Sequence, residues 1–199
     1  MMASYITLGR FTLSADMVSA FASLLLSAFL FKYMKKERIG DWYWNSFFLY
    51  LIVYKFSYMI TNFHLFMNNP MSLLYFNGGT WGQVLAVVSV AIYLYGVHRK
   101  RPIHIESFSS YLLFFIIYQL ILHFCVQNFY AAIFELIILA TFLFLFFKKR
   151  ITYQQMIIFN LVEALLLSIF NELSGIKNLS FVCLGLFLFI IGIRRDENP

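Results

Sequence analysis

The sequence predicts an all-α fold, a polytopic membrane helical bundle of about seven transmembrane helices with its N-terminus outside and its C-terminus in the cytoplasm. Three observations carry this expectation. The 199 residues are 62% hydrophobic and only 12% charged, with 25 Phe and 13 Tyr, too few charges to cover a soluble domain of that length. The apolar material is gathered into long continuous runs, the pattern that a hydrocarbon solvent selects. The basic residues stand in clusters after alternate runs. No linker, internal repeat or low-complexity tract interrupts the pattern, so residues 1–199 read as a single integral membrane domain.

The runs lie at about 12–31, 43–61, 81–97, 109–127, 129–147, 153–171 and 179–193. Most approach the roughly 20 residues needed to cross hydrocarbon. Helices are expected because a spanning segment must satisfy its own backbone hydrogen bonds. Continuous apolarity without alternation argues against strands. In the first run, Ser14 reads as a helix cap and Asp16 as a side chain snorkelling to the interface. Only Gln127-Asn128 separates the fourth run from the fifth, which implies a tight antiparallel hairpin.

Charge sets the orientation. Lys32, Lys35, Lys36 and Arg38 follow the first run, and Arg99, Lys100 and Arg101 follow the third. Lys148, Lys149 and Arg150 follow the fifth, and Arg194 and Arg195 the seventh. These are 12 of the 15 Lys+Arg; Arg10 and Lys177 fall on the opposite side and Lys55 inside a run. The positive-inside rule places the clusters in the cytoplasm, and seven crossings satisfy the parity. Clusters of this size beside membrane helices are topology signals, so the net charge of +6 does not imply a nucleic-acid partner. Because the first cluster follows its apolar run, the N-terminus reads as an anchor with an exported end, not a cleaved signal peptide. The tail RRDENP reads as a short, frayed cytoplasmic end.

Ionisable residues inside runs are costly and must face an interior. They are Lys55 in LIVYKFSYMI, Glu135 in AAIFELIIL and Glu163 in FNLVEALLL, with His123 four residues after Gln119 on the same face. Asn160, Glu163 and Asn171 also share a helical face. Two readings stay open: interhelical ion pairs, such as Lys55 with Glu135 or Glu163, or a polar cavity for a lipid headgroup or peptide. Gly78, Gly79 and Gly82 in FNGGTWGQ raise a parallel choice. They form either a glycine-rich helix start with Trp81 anchored at the interface, or a place where backbone N–H groups meet an anionic ligand near Arg10 or Lys55. Cys125 and Cys183 lie in apolar runs without a C-x-x-C pair, and His98 and His104 flank a basic loop as solvated residues. No metal site and no cofactor is expected.

The order of these features resembles the prolipoprotein diacylglyceryl transferase family, membrane enzymes that load diacylglycerol from phosphatidylglycerol onto a lipobox cysteine. LGRFTL is similar to the family's opening segment, VYKFSY places Lys55 where a basic residue stands in the second span, and NNPMSLLYFNGG follows the family's N-P and double glycine. NFYAAIFEL aligns Glu135 with a family glutamate, SIFNEL keeps Phe170 and Glu172, and NLSFVCLGLFLFIIG resembles the closing segment. The resemblance covers nearly the whole chain in order. It implies seven spans, an exported N-terminus, a bacterial cytoplasmic membrane and phospholipid as a ligand. It also implies a cavity to which Lys55, Gly78, Gly79, Glu135, Asn160, Glu163 and Glu172 are candidate contributors.

The departures from the family fall on its working parts. GGTWGQ has no histidine where the family has F-H-G-G, CVQNFYAA replaces a glycine- and arginine-rich signature, SADM replaces an aromatic motif, and Ser168 stands at an arginine position. Serine cannot reproduce the charge-assisted fork that arginine offers to phosphate. The expectation is therefore a divergent relative without standard transferase chemistry, binding a lipid, a lipoprotein or a membrane-protein partner. The alternatives are an active divergent lipid-modifying enzyme with His64, His123 or the buried acids reassigned, and a small transporter or membrane-complex subunit.

Overall fold

The computed structural model describes residues 5–8, 11–36, 39–69, 78–100, 104–148 and 152–196. Arg10, Arg38, Arg101, Lys149, Arg150 and the segment 70–77 lie outside the described residues. The elements run β1 (Tyr5–Leu8), β2 (Phe11–Ser14), α1 (Ala15–Lys35), α2 (Asp41–Thr61), α3 (Phe63–Asn68) and α4 (Gly79–Lys100). They continue with α5 (His104–Cys125), α6 (Phe129–Phe147), α7 (Tyr153–Ile169) and α8 (Ile176–Asp196). Each apolar run is thus one helix. Five of them, α1, α4, α5, α6 and α8, are long and apolar enough to cross a membrane, and α7 is a shorter apolar helix. In α2, Trp42, Tyr43, Trp44, Asn45 and Lys55 dilute the apolar content of a 21-residue helix. The chain is a multi-pass membrane protein.

The polarity of the helices is that of a protein dissolved in lipid. Helix α6 exposes Ile133, Phe134, Leu136, Ile137 and Phe144 and buries Ala131, Ala132, Glu135 and Phe142. Helix α1 exposes Phe21, Leu25 and Phe29 and buries Ser19, Ser23 and Ser27. In water this inversion would leave apolar patches uncovered on a large scale; in hydrocarbon those side chains are in their own solvent.

Two compact units interleave along the sequence, residues 1–39 with 105–166, and residues 40–104 with 167–199. In the first, α1 and α5 run antiparallel. Tyr118 Oη, late in α5, donates to Asp16 Oδ1 in the first turn of α1 at 3.1 Å. At the opposite ends Lys35 Nζ meets Glu106 Oε1 at 3.5 Å. The C-terminal turns of α1 and α6 meet through Phe31 and Phe146, whose ring centroids are 6.3 Å apart, and α6 meets α7 through Phe142 and Phe159 at 5.2 Å. Ser23 and Ser27 return their hydroxyls to the carbonyls of Ala20 and Leu24, which lets them be buried in an apolar medium.

The expected hairpin between the fourth and fifth runs is present. Helix α5 ends at Cys125, Gln127 takes a left-handed φ of 61°, and Asn128 N–H donates to His123 O at 2.9 Å. The Asn128 side chain then caps α6 by accepting from Ala131 N–H at 3.4 Å. The expected cap at Ser14 is also present, accepting from Met17 N–H at 3.3 Å. The strands differ from expectation. β1 and β2 pair antiparallel, Tyr5 with Ser14 and Leu8 with Phe11. The pair lies ahead of the first helix, in a segment too short to announce itself by alternation.

In the second unit, α4 packs along α2 and against α8. The contact with α2 depends on Gly78 and Gly82. Gly78 N–H donates to Tyr54 O at 3.1 Å, and a Cβ on Gly78 would lie 2.8 Å from Gly82 Cα and overlap the Ser57 hydroxyl. A Cβ on Gly82 would lie 3.2 Å from Tyr54 O. This is small-xxx-small packing, in which missing side chains let helix backbones approach. Below it, Ala86, Val90, Leu94 and His98 continue the buried stripe at four-residue spacing. A polar chain crosses all three helices: Tyr50 Oη donates to Gln83 Oε1, and Gln83 Nε2 donates to Ser180 Oγ at 3.0 Å. Replacing Gly82 with Val is expected to cost about 1–3 kcal/mol through overpacking. Gly96→Ala, where nothing lies within 4 Å, is expected to hold or raise stability. Thermal unfolding of the two variants in detergent checks the contrast.

Candidate functional site

The buried acids, base and side-chain amides of the first unit lie on three successive helices. Gln119 and His123 project from α5, Glu135 from α6, and Asn160 and Glu163 from α7, and none is more than 2% exposed. Glu135 is six residues in from Phe129 and Glu163 six residues back from Ile169, so both carboxyls sit roughly 9 Å inside their helices at 1.5 Å per residue. His123 is closer to an end, two residues before Cys125. The Glu135 and Glu163 carboxyls interact side chain to side chain. His123 Nε2 lies 3.9 Å from Glu135 Oε1.

Local sequence places each of these groups. The i, i+4 spacing of Gln119 and His123 and the i, i+3 spacing of Asn160 and Glu163 put each pair on one helix face. The tight turn at Gln127 brings the end of α5 back against the start of α6, so His123 and Glu135 become neighbours. The arrangement holds acids, a base and two amides, and it holds no fixed cation: α5, α6 and α7 contain neither Lys nor Arg. A lone ionised carboxylate mid-helix costs about 3 kcal/mol even on the most lenient insertion scale. The acids are tolerable here because they have each other, His123 and the amides for company.

Of the residues singled out from the sequence, Glu135, Asn160 and Glu163 are therefore brought together. Lys55, Gly78 and Gly79 belong to the second unit. Lys55 is half-buried on α2, Gly78 is occupied in the α2–α4 contact, and Gly79 opens α4 with a positive φ of 56° and open space where a Cβ would stand. Trp81 is 71% exposed in the first turn of α4, as an interfacial anchor requires. Asn171 does not continue the Asn160–Glu163 face, because α7 stops at Ile169 and Asn171 turns with φ 57°. His98, read from its basic neighbours as solvated, is buried at the end of the α4 stripe. The four-residue spacing from Gly82 was the signal for that burial. The Tyr118 partner of Asp16 had no such signal, since the two are 102 residues apart.

Glu172 lies in the turn between α7 and α8, where its N–H donates to Leu167 O at 2.8 Å and its carbonyl accepts from Asn178 Nδ2 at 3.1 Å. A cleft of about 390 Å³ opens beside it, lined by Ser168, Asn171, Leu173, Ser174 and Leu179. Burial pushes the Glu172 carboxyl above the usual carboxylate range. Among the described residues, no group of three or more His, Cys, Asp or Glu side chains is arranged to hold a metal ion. No protein-family model, no curated protein and no solved structure matches the chain.

The Glu172 shift has a definite sign. The folded state holds this proton more tightly than the unfolded chain, whose glutamates titrate near 4.3. Its stabilisation is complete below that value and is lost as pH rises through the raised folded value. Glu172→Gln, which keeps the neutral form, is expected to gain in melting temperature relative to wild type as pH rises from about 4 to 8. Melting curves of both proteins across that range check it, and a constant difference would contradict the assignment.

Proposed function

We propose that the chain is a seven-crossing protein of the bacterial cytoplasmic membrane, similar in plan to prolipoprotein diacylglyceryl transferases. In this reading it binds a membrane phospholipid, a lipoprotein or a membrane-protein partner without performing standard diacylglyceryl transfer. The observation that carries the loss of chemistry is the charge of the polar centre. Transfer from phosphatidylglycerol brings a phosphodiester anion to the reacting groups, and an anion needs arginine, lysine or converging N–H donors. The buried centre of the first unit instead offers Glu135 and Glu163, with no Lys or Arg on α5, α6 or α7 to hold an anion. Among the described residues, a cation and backbone N–H groups of the kind an anionic headgroup requires occur in the second unit, at Lys55 and at the start of α4.

The orientation is supported at the helix ends. Lys35 lies over the Phe31 ring at 5.4 Å, Arg99 over Tyr95 at 4.9 Å and Lys148 over Phe144 at 4.2 Å. Each cation folds back on an aromatic ring four residues earlier, which suits a charge held at a membrane–water boundary. These are the ends of α1, α4 and α6, the helices that would all run from outside to inside. The antiparallel pairing of α1 with α5 has the same sense.

A second reading, an active enzyme with reassigned groups, draws support from His123, the one titratable base beside the buried acids. One assay separates the two. Full-length protein in nanodiscs, given phosphatidylglycerol and a lipobox peptide, is expected to transfer no diacylglycerol while retaining bound phospholipid. Turnover that His123→Ala abolishes would overturn the binding-only reading.

A further inference from the structure

We propose that Glu135, Glu163 and His123 form an intramembrane proton-binding site in which three groups share two exchangeable protons. The inference requires the membrane placement of α5–α7 and is independent of whether a lipid binds. It begins with geometry: two carboxyls with no exposed surface interact across α6 and α7, and an imidazole that is 2% exposed stands 3.9 Å from one of them. Glu163 interacts side chain to side chain with Glu135, so a proton on either carboxyl has an acceptor in the other.

Charge balance fixes the number of protons. Hydrocarbon penalises net charge, so the favoured states are those in which the cluster sums to zero. There are two kinds. Either both carboxyls are protonated and His123 is neutral, or one carboxyl is protonated, the other ionised and His123 cationic. Both contain two exchangeable protons. They differ only by one transfer: the N–H bond at His123 Nε2 breaks, its electron pair stays on nitrogen, and an O–H bond forms at Glu135 Oε1. At 3.9 Å this step needs an approach of about 1 Å or one intervening water.

The surrounding groups do not disturb this count. On α5, Gln119 does not titrate and Tyr118 is engaged with Asp16 of α1. On α7 the neighbour is the amide of Asn160, and on α6 Tyr130 is 79% exposed. His123, two residues from the end of α5, is the member nearest water, which makes it the route by which protons reach the acids.

The test is infrared spectroscopy of the full-length protein in nanodiscs, reading the carbonyl stretch of protonated carboxyl groups and its shift in heavy water. At neutral pH the wild type is expected to show a protonated-carboxyl band. At least one of Glu135→Gln and Glu163→Gln is expected to remove half or more of it, and Glu106→Gln and Glu172→Gln to leave that part intact. His123→Gln is expected to slow hydrogen–deuterium exchange of the band by tenfold or more. Absence of the band in the wild type at neutral pH would overturn the proposal without reference to any variant. So would a band unchanged by both glutamine substitutions, or one that sodium ions abolish at constant pH.

Discussion

The structure depends on an inversion imposed by solvent. Water asks a protein to bury leucine and expose serine; lipid removes the reward for burying leucine and makes every unsatisfied polar group costly. Helix α1 buries three serines at four-residue spacing and exposes phenylalanine and leucine, and α6 buries a glutamate inside a helix whose surface is almost wholly apolar. Packing is therefore driven by close approach and by polar groups finding one another. The glycine contact of α4 on α2 and the Tyr50–Gln83–Ser180 chain do this in one unit. The serine stripe and the acid–histidine cluster do it in the other.

Helix α5 is the hub of the first unit. About two-thirds of its apolar window is buried, against roughly a fifth to a third for α1 and α6. It touches α1 at both ends through polar bonds, Asp16 with Tyr118 and Lys35 with Glu106. It also feeds His123 into the cluster from beside the hairpin turn. Directional bonds at the ends set the pairing, while the buried faces of Phe108, Leu112, Phe115 and Ile116 supply dispersion contact along the length. The cluster is thus seated on a helix more deeply buried than α1 or α6, which suits groups that must keep ångström-scale relations.

Much of this was legible in the sequence. The positions of the long helices followed from apolar runs, the hairpin from the single polar break at Gln127-Asn128, and the Ser14 cap from residue type next to an apolar run. The pairs Gln119–His123 and Asn160–Glu163 were visible because helical spacing is local. What was not legible is what depends on tertiary neighbours: that Glu135 meets Glu163, or that Asp16 meets Tyr118. Two features were present in the sequence but overshadowed. The Gly78-xxx-Gly82 spacing predicts helix contact, yet the adjacent Gly79 and the loop-like composition drew attention to a ligand. The His98 position completes a four-residue stripe, yet its basic neighbours spoke for solvent. Family resemblance made Glu172 a candidate contributor to a cavity shared with Glu135 and Glu163, whereas it stands in the turn that follows the end of α7 at Ile169.

The most direct measurement concerns the crossing pattern itself. In a protein with Cys125 and Cys183 replaced by serine, a membrane-impermeant thiol reagent is applied to intact cells carrying Gln127→Cys or Lys100→Cys. Gln127→Cys is expected to react from outside, and Lys100→Cys only after the membrane is opened. Labelling of Lys100→Cys in intact cells would contradict the inward-facing basic ends, and with them the placement of the buried acids within the bilayer.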